Sequence, residues 1–147
     1  MADKELALMA HLMRRAGFGA TREELEARVA KGYEATVEEL LAPENQESVD
    51  RYEFFRYHPG FWKPVTSPGM GSATWLNDLI NTNQPLLEKV ALFWHQVFCT
   101  GQSKIDNYDE VTDQIDLFRE KGMGNYQDLL LELAKNPAMI FFLDNCD

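Results

Sequence analysis

Cysteine is scarce in this chain: Cys99 and Cys146 are the only two. Neither sits in a CxxC pair and nothing local brings them together. That argues against a disulfide framework or a cysteine-based metal knuckle and leaves both as free thiols. Basic residues are also short, 14 Lys and Arg against 24 Asp and Glu, giving a formal net charge of -10. Such a chain repels a phosphate backbone, and no stripe of Lys or Arg interrupts the acidity, so nucleic acid is disfavoured as a partner. No stretch approaches the roughly 18 consecutive apolar residues of a membrane-spanning helix, so membrane insertion is not expected. The opening residues, MADKELALMAHLMRRAG, mix acids with apolar side chains and lack the basic head and apolar run of a signal peptide. Alternating apolar and polar runs are missing too, which removes a sheet, and there is no internal repeat.

What remains is ordinary globular composition, 45% hydrophobic and 26% charged over 147 residues, a length that suits one domain with a buried core. Leu6, Met9, Leu12 and Met13 recur at helical spacing between Lys4 and Arg15, and Gly17 follows where a left-handed cap is wanted. Thr21 precedes Glu24 by three residues, the pattern of a capping box opening a second helix that runs to about Lys31 and stops at Gly32. Thr36 and Glu39 repeat the pattern before a short helix closed by Pro43.

Residues 44–73 read as one long loop, because His58, Pro59, Gly60, Pro64, Pro68, Gly69 and Gly71 deny a regular element. Its rings, Tyr52, Phe54, Phe55, Tyr57, Phe61 and Trp62, are too apolar for a solvated tether. Helical spacing resumes at Ser72 or Thr74, with Trp75, Leu76, Leu79 and Ile80 on one stripe. Pro85 suits the first position of the next helix, PLLEKVALFWHQVFC, which is apolar around more than half its circumference and is expected to be the most buried element. A helix from about Asp109 to Lys121 presents Val111, Ile115 and Phe118. Asn125 then reads as a cap for a helix carrying Leu129, Leu130 and Leu133, and Asn136 with Pro137 as the start of a last apolar turn. The strongly apolar end, with no polar tail behind LDNCD, gives the expectation of an interrupted chain.

RRAGFGAT after the first helix, then PLLEKVALFWHQVF, then QIDLFREKGMGNYQDLLLELAKNPAMIFFLDN together resemble the domain of unknown function 1800 family, a widespread set of bacterial proteins. The resemblance spans nearly the whole chain except residues 44–73. It implies a longer protein, in which LDN leads into a segment rich in Asn and Glu and then further helices, so this chain is expected to be an N-terminal portion. Many relatives look exported, which this N-terminus does not match, and the resemblance carries no established reaction.

Among residues suited to chemistry, His95 and Cys99 lie four apart on one helix, yet two ligands fall short of the four that a structural metal site wants. The plainer reading is a partly buried histidine beside an inert core thiol. His95 also sits seven residues after Glu88 on nearly the same face, and an imidazole titrating near neutrality suits acid/base work. It is the one catalytic candidate, although no orienting partner is visible. Asp144, Asn145 and Asp147 form an acidic cluster that a capped helix end explains equally well. Arg14 and Arg15 suit an anion or, more simply, the dipole at a helix C-terminus. Gly17 to Thr21, GFGAT, lacks the spacing and lysine of a nucleotide loop and reads as a turn between helices. No metal ligands or cofactor-binding residues are assigned.

The expectation is therefore an all-α, irregular multi-helix array with a long aromatic loop. It is a single helical domain over residues 1–147 or the N-terminal part of a larger one, with a helical trio at 1–43 and a helical array at 74–147. Its expected role is a scaffold or interaction segment whose apolar edge is completed by a C-terminal half or a protein partner. The alternative is part of an enzyme of unknown reaction with His95 near the site.

Overall fold

A computed structural model describes residues 2–59, 68–98, 100–101, 104–105 and 107–145. Among them every regular element is helical: α1 Ala2–Ala16, α2 Arg22–Lys31, α3 Tyr33–Leu41, a 3-10 turn Pro43–Asn45, α4 Tyr52–Tyr57, α5 Pro68–Asn81, α6 Pro85–Val97, α7 Tyr108–Lys121, α8 Tyr126–Leu133 and α9 Pro137–Phe142. The all-α expectation holds. The long loop does not survive whole, since α4, the 3-10 turn and the first turn of α5 lie inside it. Phe61, Trp62 and Pro64 of that loop fall outside the described residues, as do Cys99, Cys146 and Asp147. The chain divides into two compact units, Met1–Ser48 with Thr82–Lys89, and Val49–Asn81 with Val90–Asp147.

In the first unit, α1 packs on α2 and α2 on α3, with Met9, Met13, Thr36 and Leu40 buried. Thr21 starts α2 through the expected capping box: its Oγ1 accepts from the Glu24 amide at 3.3 Å and its own amide donates to Glu24 Oε2 at 2.6 Å. The bond from the Thr21 amide holds the Glu24 carboxyl below its ordinary range. Gly17 is not the left-handed residue after α1. Gly19 is, at φ 99°, and its amide returns to the Met13 carbonyl at 3.2 Å. Gly17 is buried for a different reason, since a Cβ there would lie 2.9 Å from Pro85 Cβ. Lys89 Nζ donates to the Gly17 carbonyl at 2.7 Å and to that of Arg14 at 3.2 Å, satisfying carbonyls that α1 leaves open at its C-terminus.

Thr36 and Glu39 are not a second capping box. Gly32, at φ 106°, ends α2 and opens α3 at once, so Thr36 lies inside the helix and its hydroxyl donates back to the Gly32 carbonyl at 2.8 Å. Glu39 instead accepts from Arg28 Nη1 at 3.1 Å and from Lys31, tying α3 to α2. Gln84 Nε2 donates to the carbonyls of Pro43 at 2.7 Å and Gln46 at 3.1 Å, which fixes the turn after α3.

In the second unit α7 is the most enclosed helix, with Gln114, Ile115 and Phe118 buried and packing against α5, α8 and α9. Ala91, Phe118, Leu129 and Leu133 form the core, with Trp94, Phe98, Leu117 and Met139 against it. This corrects the expectation for α6, where only Glu88 and Ala91 are buried and Leu92, Phe93 and Val97 face outward. A chain of buried polar groups runs beside the core. Thr100 Oγ1 donates to Gln114 Oε1 at 2.7 Å, and Gln114 Nε2 to Asn136 Oδ1 at 3.3 Å, where Asn136 also caps α9 through the Met139 amide. Asn125 caps α8 by accepting from the Gln127 amide at 2.8 Å.

Trp94 joins α6 to the end of α7. Its Nε1 donates to the Gly122 carbonyl at 2.8 Å, and its ring stacks on Phe98 and Tyr126 at centroid distances of 5.6 and 5.7 Å. Gly122 has ordinary helical angles, so its requirement is space: a Cβ there would collide with the Phe118 carbonyl oxygen and sit 2.7 Å from Trp94 Cδ1. Gly122→Ala is expected to destabilise the chain by about 1–3 kcal/mol, the usual cost of overpacking. Thermal unfolding checks this, and an unchanged midpoint would show that the end of α7 and the ring both relax freely around the added carbon.

Candidate functional site

Helix α5 carries one charged residue, Asp78, and turns it inward. Thr74 and Asp78, four residues apart, share the buried face, with Trp75 beside them, whereas Leu76 and Ile80 on the opposite side are 56% and 72% exposed. This splits the apolar stripe expected from spacing and reverses the usual polarity of a surface helix. The cause is the carboxylate. Asp78 is 2% exposed and is engaged from two directions. Arg51 Nε donates to Oδ1 at 2.9 Å while its Nη2 bonds Oδ2, a bidentate fork, and Arg119 Nη2 donates to Oδ2 at 3.1 Å. Arg119 Nη1 also bonds Asp116 at 2.5 Å. The start of α4, the middle of α5 and the end of α7 thus meet at one buried charge.

One turn before Asp78, the Trp75 ring meets His95 of α6 edge to face, with centroids 5.1 Å apart and planes at 89°. The His95 Nδ1 is buried and has no hydrogen-bond partner among the described residues. Burial pushes the imidazole below its ordinary titration range, so it is neutral at pH 7. A neutral imidazole at such a place offers a lone pair or a proton, and among the described residues no carboxylate or carbonyl bonds its Nδ1 to orient it. Glu88, its expected neighbour in spacing, is buried in the part of α6 that belongs to the first unit.

The other sequence candidates resolve differently. Asp144 sits in the left-handed region at φ 58° and its carboxylate accepts from Lys104 Nζ at 2.6 Å, while the Asn145 amide bonds the Ile140 carbonyl at 3.0 Å. Both belong to the end of α9. Among the described residues no three of His, Cys, Asp or Glu gather as a metal would need. Arg14 and Arg15 occupy the last turn of α1, and residues 17–21 form the turn before α2, with Phe18 beneath the Lys89 ammonium at 5.3 Å. Asp78, Arg51 and Arg119 were not singled out from sequence. The usable signal was Asp78 itself, the one charge on a helix of 14 residues.

Among the described residues these observations define an all-helical protein with a buried ionic hub and a neutral histidine packed on Trp75, one turn from that hub, and no helix there is long and apolar enough to cross a membrane. The chain belongs to the family described as Protein of unknown function (DUF1800), whose model matches residues 11–147. No curated protein and no solved structure matches it.

Removing one partner of a buried ion pair leaves the other uncompensated, so Asp78→Ala is expected to cost about 3–5 kcal/mol. Arg119, with a side chain 14% exposed, should cost more on replacement by Ala than Arg51 at 35%. Chemical denaturation of the three variants tests that order, and equal, small losses would mean that the hub is marginal. On the outer face of α7, burial together with Asp116 and Asp109 raises the Asp113 carboxyl above its ordinary range. A raised acid destabilises the fold above its folded titration point, and that cost disappears as pH falls through it. Asp113→Asn should therefore stabilise the chain at pH 7, by about 0.2–0.5 kcal/mol for each like-charge pair removed, and the gain should shrink in acid.

Proposed function

We propose that this chain is a scaffold or interaction segment whose outer apolar surface in the second unit receives a protein segment, either a C-terminal half of the same protein or a separate subunit. The observation that carries the reading is the polarity of α5, which encloses Thr74 and Asp78 and presents Leu76 and Ile80 to water. Helix α6 adds to it with Phe93 and Val97, 53% and 51% exposed, and Phe93 lies edge to face on Trp94 at 5.0 Å. Trp94 in turn stacks on Tyr126, itself 55% exposed. Clustered apolar side chains on a surface mark interaction sites more often than isolated ones do, and aromatic anchors are what such sites favour.

A second reading, an enzyme with His95 near its site, is favoured by the buried Nδ1 without a partner, since a polar atom left unsatisfied in the interior calls for a functional explanation. Replacing His95 by Gln separates the two: loss of ligand or metal uptake with the fold intact supports catalysis, and unfolding without any lost binding supports the scaffold.

Ile80→Asp and Phe93→Asp test the first reading directly. Each is expected to leave helix content unchanged and stability within about 0.5 kcal/mol, as surface substitutions do, while lowering the binding of a hydrophobic dye and any self-association seen in sedimentation velocity. A cooperative loss of helix in either variant would make that side chain part of the core and remove the surface on which the proposal stands.

A further inference from the structure

We propose that His95 and Trp75 form an acid-sensitive latch within the second unit: a neutral imidazole holds α5 against α6, and protonation of His95 releases it. The geometry carries this. An imidazolium has two N–H donors and needs an acceptor for each when shut away from water. Nδ1 of His95 is buried and has none among the described residues, so the site accommodates the neutral ring and rejects the charged one. The contact at stake is the perpendicular packing on Trp75, with centroids 5.1 Å apart. Trp75 lies on α5 one turn from the ionic hub at Asp78.

The neighbouring charges do not rescue the protonated ring. Asp78, the one acid of α5, is committed to Arg51 and Arg119. On α7, Asp116 is likewise taken by Arg119. On α6 itself the charged residues are Glu88 and Lys89, about two turns towards the N-terminus, and the Lys89 ammonium is engaged by the carbonyls of Arg14 and Gly17. Burial alone moves the His95 titration, and it moves it down.

The direction with pH follows from the sign of that shift. The opened chain takes up the proton near pH 6.5, the closed one at a lower pH. Between those two points the open form binds more protons. The contribution of the neutral ring to closure is therefore fully present above about pH 6.5, weakens as pH falls through the interval, and levels off below the folded value. Each pH unit separating the two titration points adds a tenfold increase in opening. The consequence is a helix α5 whose Leu76 and Ile80 face is presented in a fixed place at neutral pH and loosened in acid.

The test uses the whole chain. Nuclear magnetic resonance follows the three histidines, His11, His58 and His95, from pH 8 to pH 5, while hydrogen exchange is read at the α5 amides. The expected result is that His95 titrates below 6.5 and that α5 exchange, corrected for its intrinsic pH dependence, accelerates over the same interval. His95→Gln should abolish that acceleration. If this variant does not fold, Trp75→Phe, which keeps an aromatic edge, should retain it with a shifted midpoint. A His95 titration at or above 6.5, or α5 exchange that ignores His95 protonation, overturns the proposal.

Discussion

A carboxylate taken out of water sets the terms for the second unit. An ionised Asp78 at 2% exposure is stable only while its oxygens are matched by cationic donors, because the desolvation cost of an unpaired charge in the interior exceeds what packing around it returns. Arg51 and Arg119 supply those donors from two other parts of the chain. Helix α5 must then rotate its polar face inward, and the same rotation carries Leu76 and Ile80 outward. The apolar exterior of α5 is thus the geometric complement of its ionic interior.

Helices α6 and α7 show a related division of labour. By composition α6 is the more apolar, yet α7 is the more enclosed, because Gln114, Ile115 and Phe118 all find partners inside: the amide in the Thr100 and Asn136 bonds, the hydrocarbon in the core. A buried polar side chain whose atoms are hydrogen-bonded avoids the penalty of an unsatisfied one and also fixes register, since a shifted helix would break its bonds. Helix α6 has no such constraint on its outer side. It anchors through Ala91 and Trp94 and leaves Phe93 and Val97 for something else.

What was legible in the sequence was local. The cap of α2 at Thr21, the caps at Asn125 and Asn136, and the starts at Pro85 and Pro137 all follow from residues within one turn of each other, and all appear. What was not legible required distant partners. Thr36 and Glu39 spell the same motif as Thr21 and Glu24, but the positive φ of Gly32 had already opened the helix and Arg28 with Lys31 claimed Glu39. The burial of Asp78 depends on Arg51, 27 residues away, and Arg119, 41 residues away, so no periodicity reveals it. His95 was recognisable as a residue type on an apolar helix. That its Nδ1 lacks a partner is a fact of tertiary packing.

An active site leaves polar groups unsatisfied until substrate arrives, whereas a scaffold satisfies its interior and leaves its unmet demand on the surface. Among the described residues the interior of the second unit is satisfied almost throughout, which fits the proposed interaction role. Asp78, Gln114, Asn136 and Thr100 answer one another or the arginines, while Phe93, Ile80 and Tyr126 stand in water without cover. His95 is the exception, and its place matters more than its chemistry. It lies where α6 meets the helix that holds both the ionic hub and the exposed Leu76 and Ile80 face. On the proposed latch, a group so placed acts on whether that face is held in position, which connects the one unsatisfied buried side-chain atom among the described residues to the apolar surface outside.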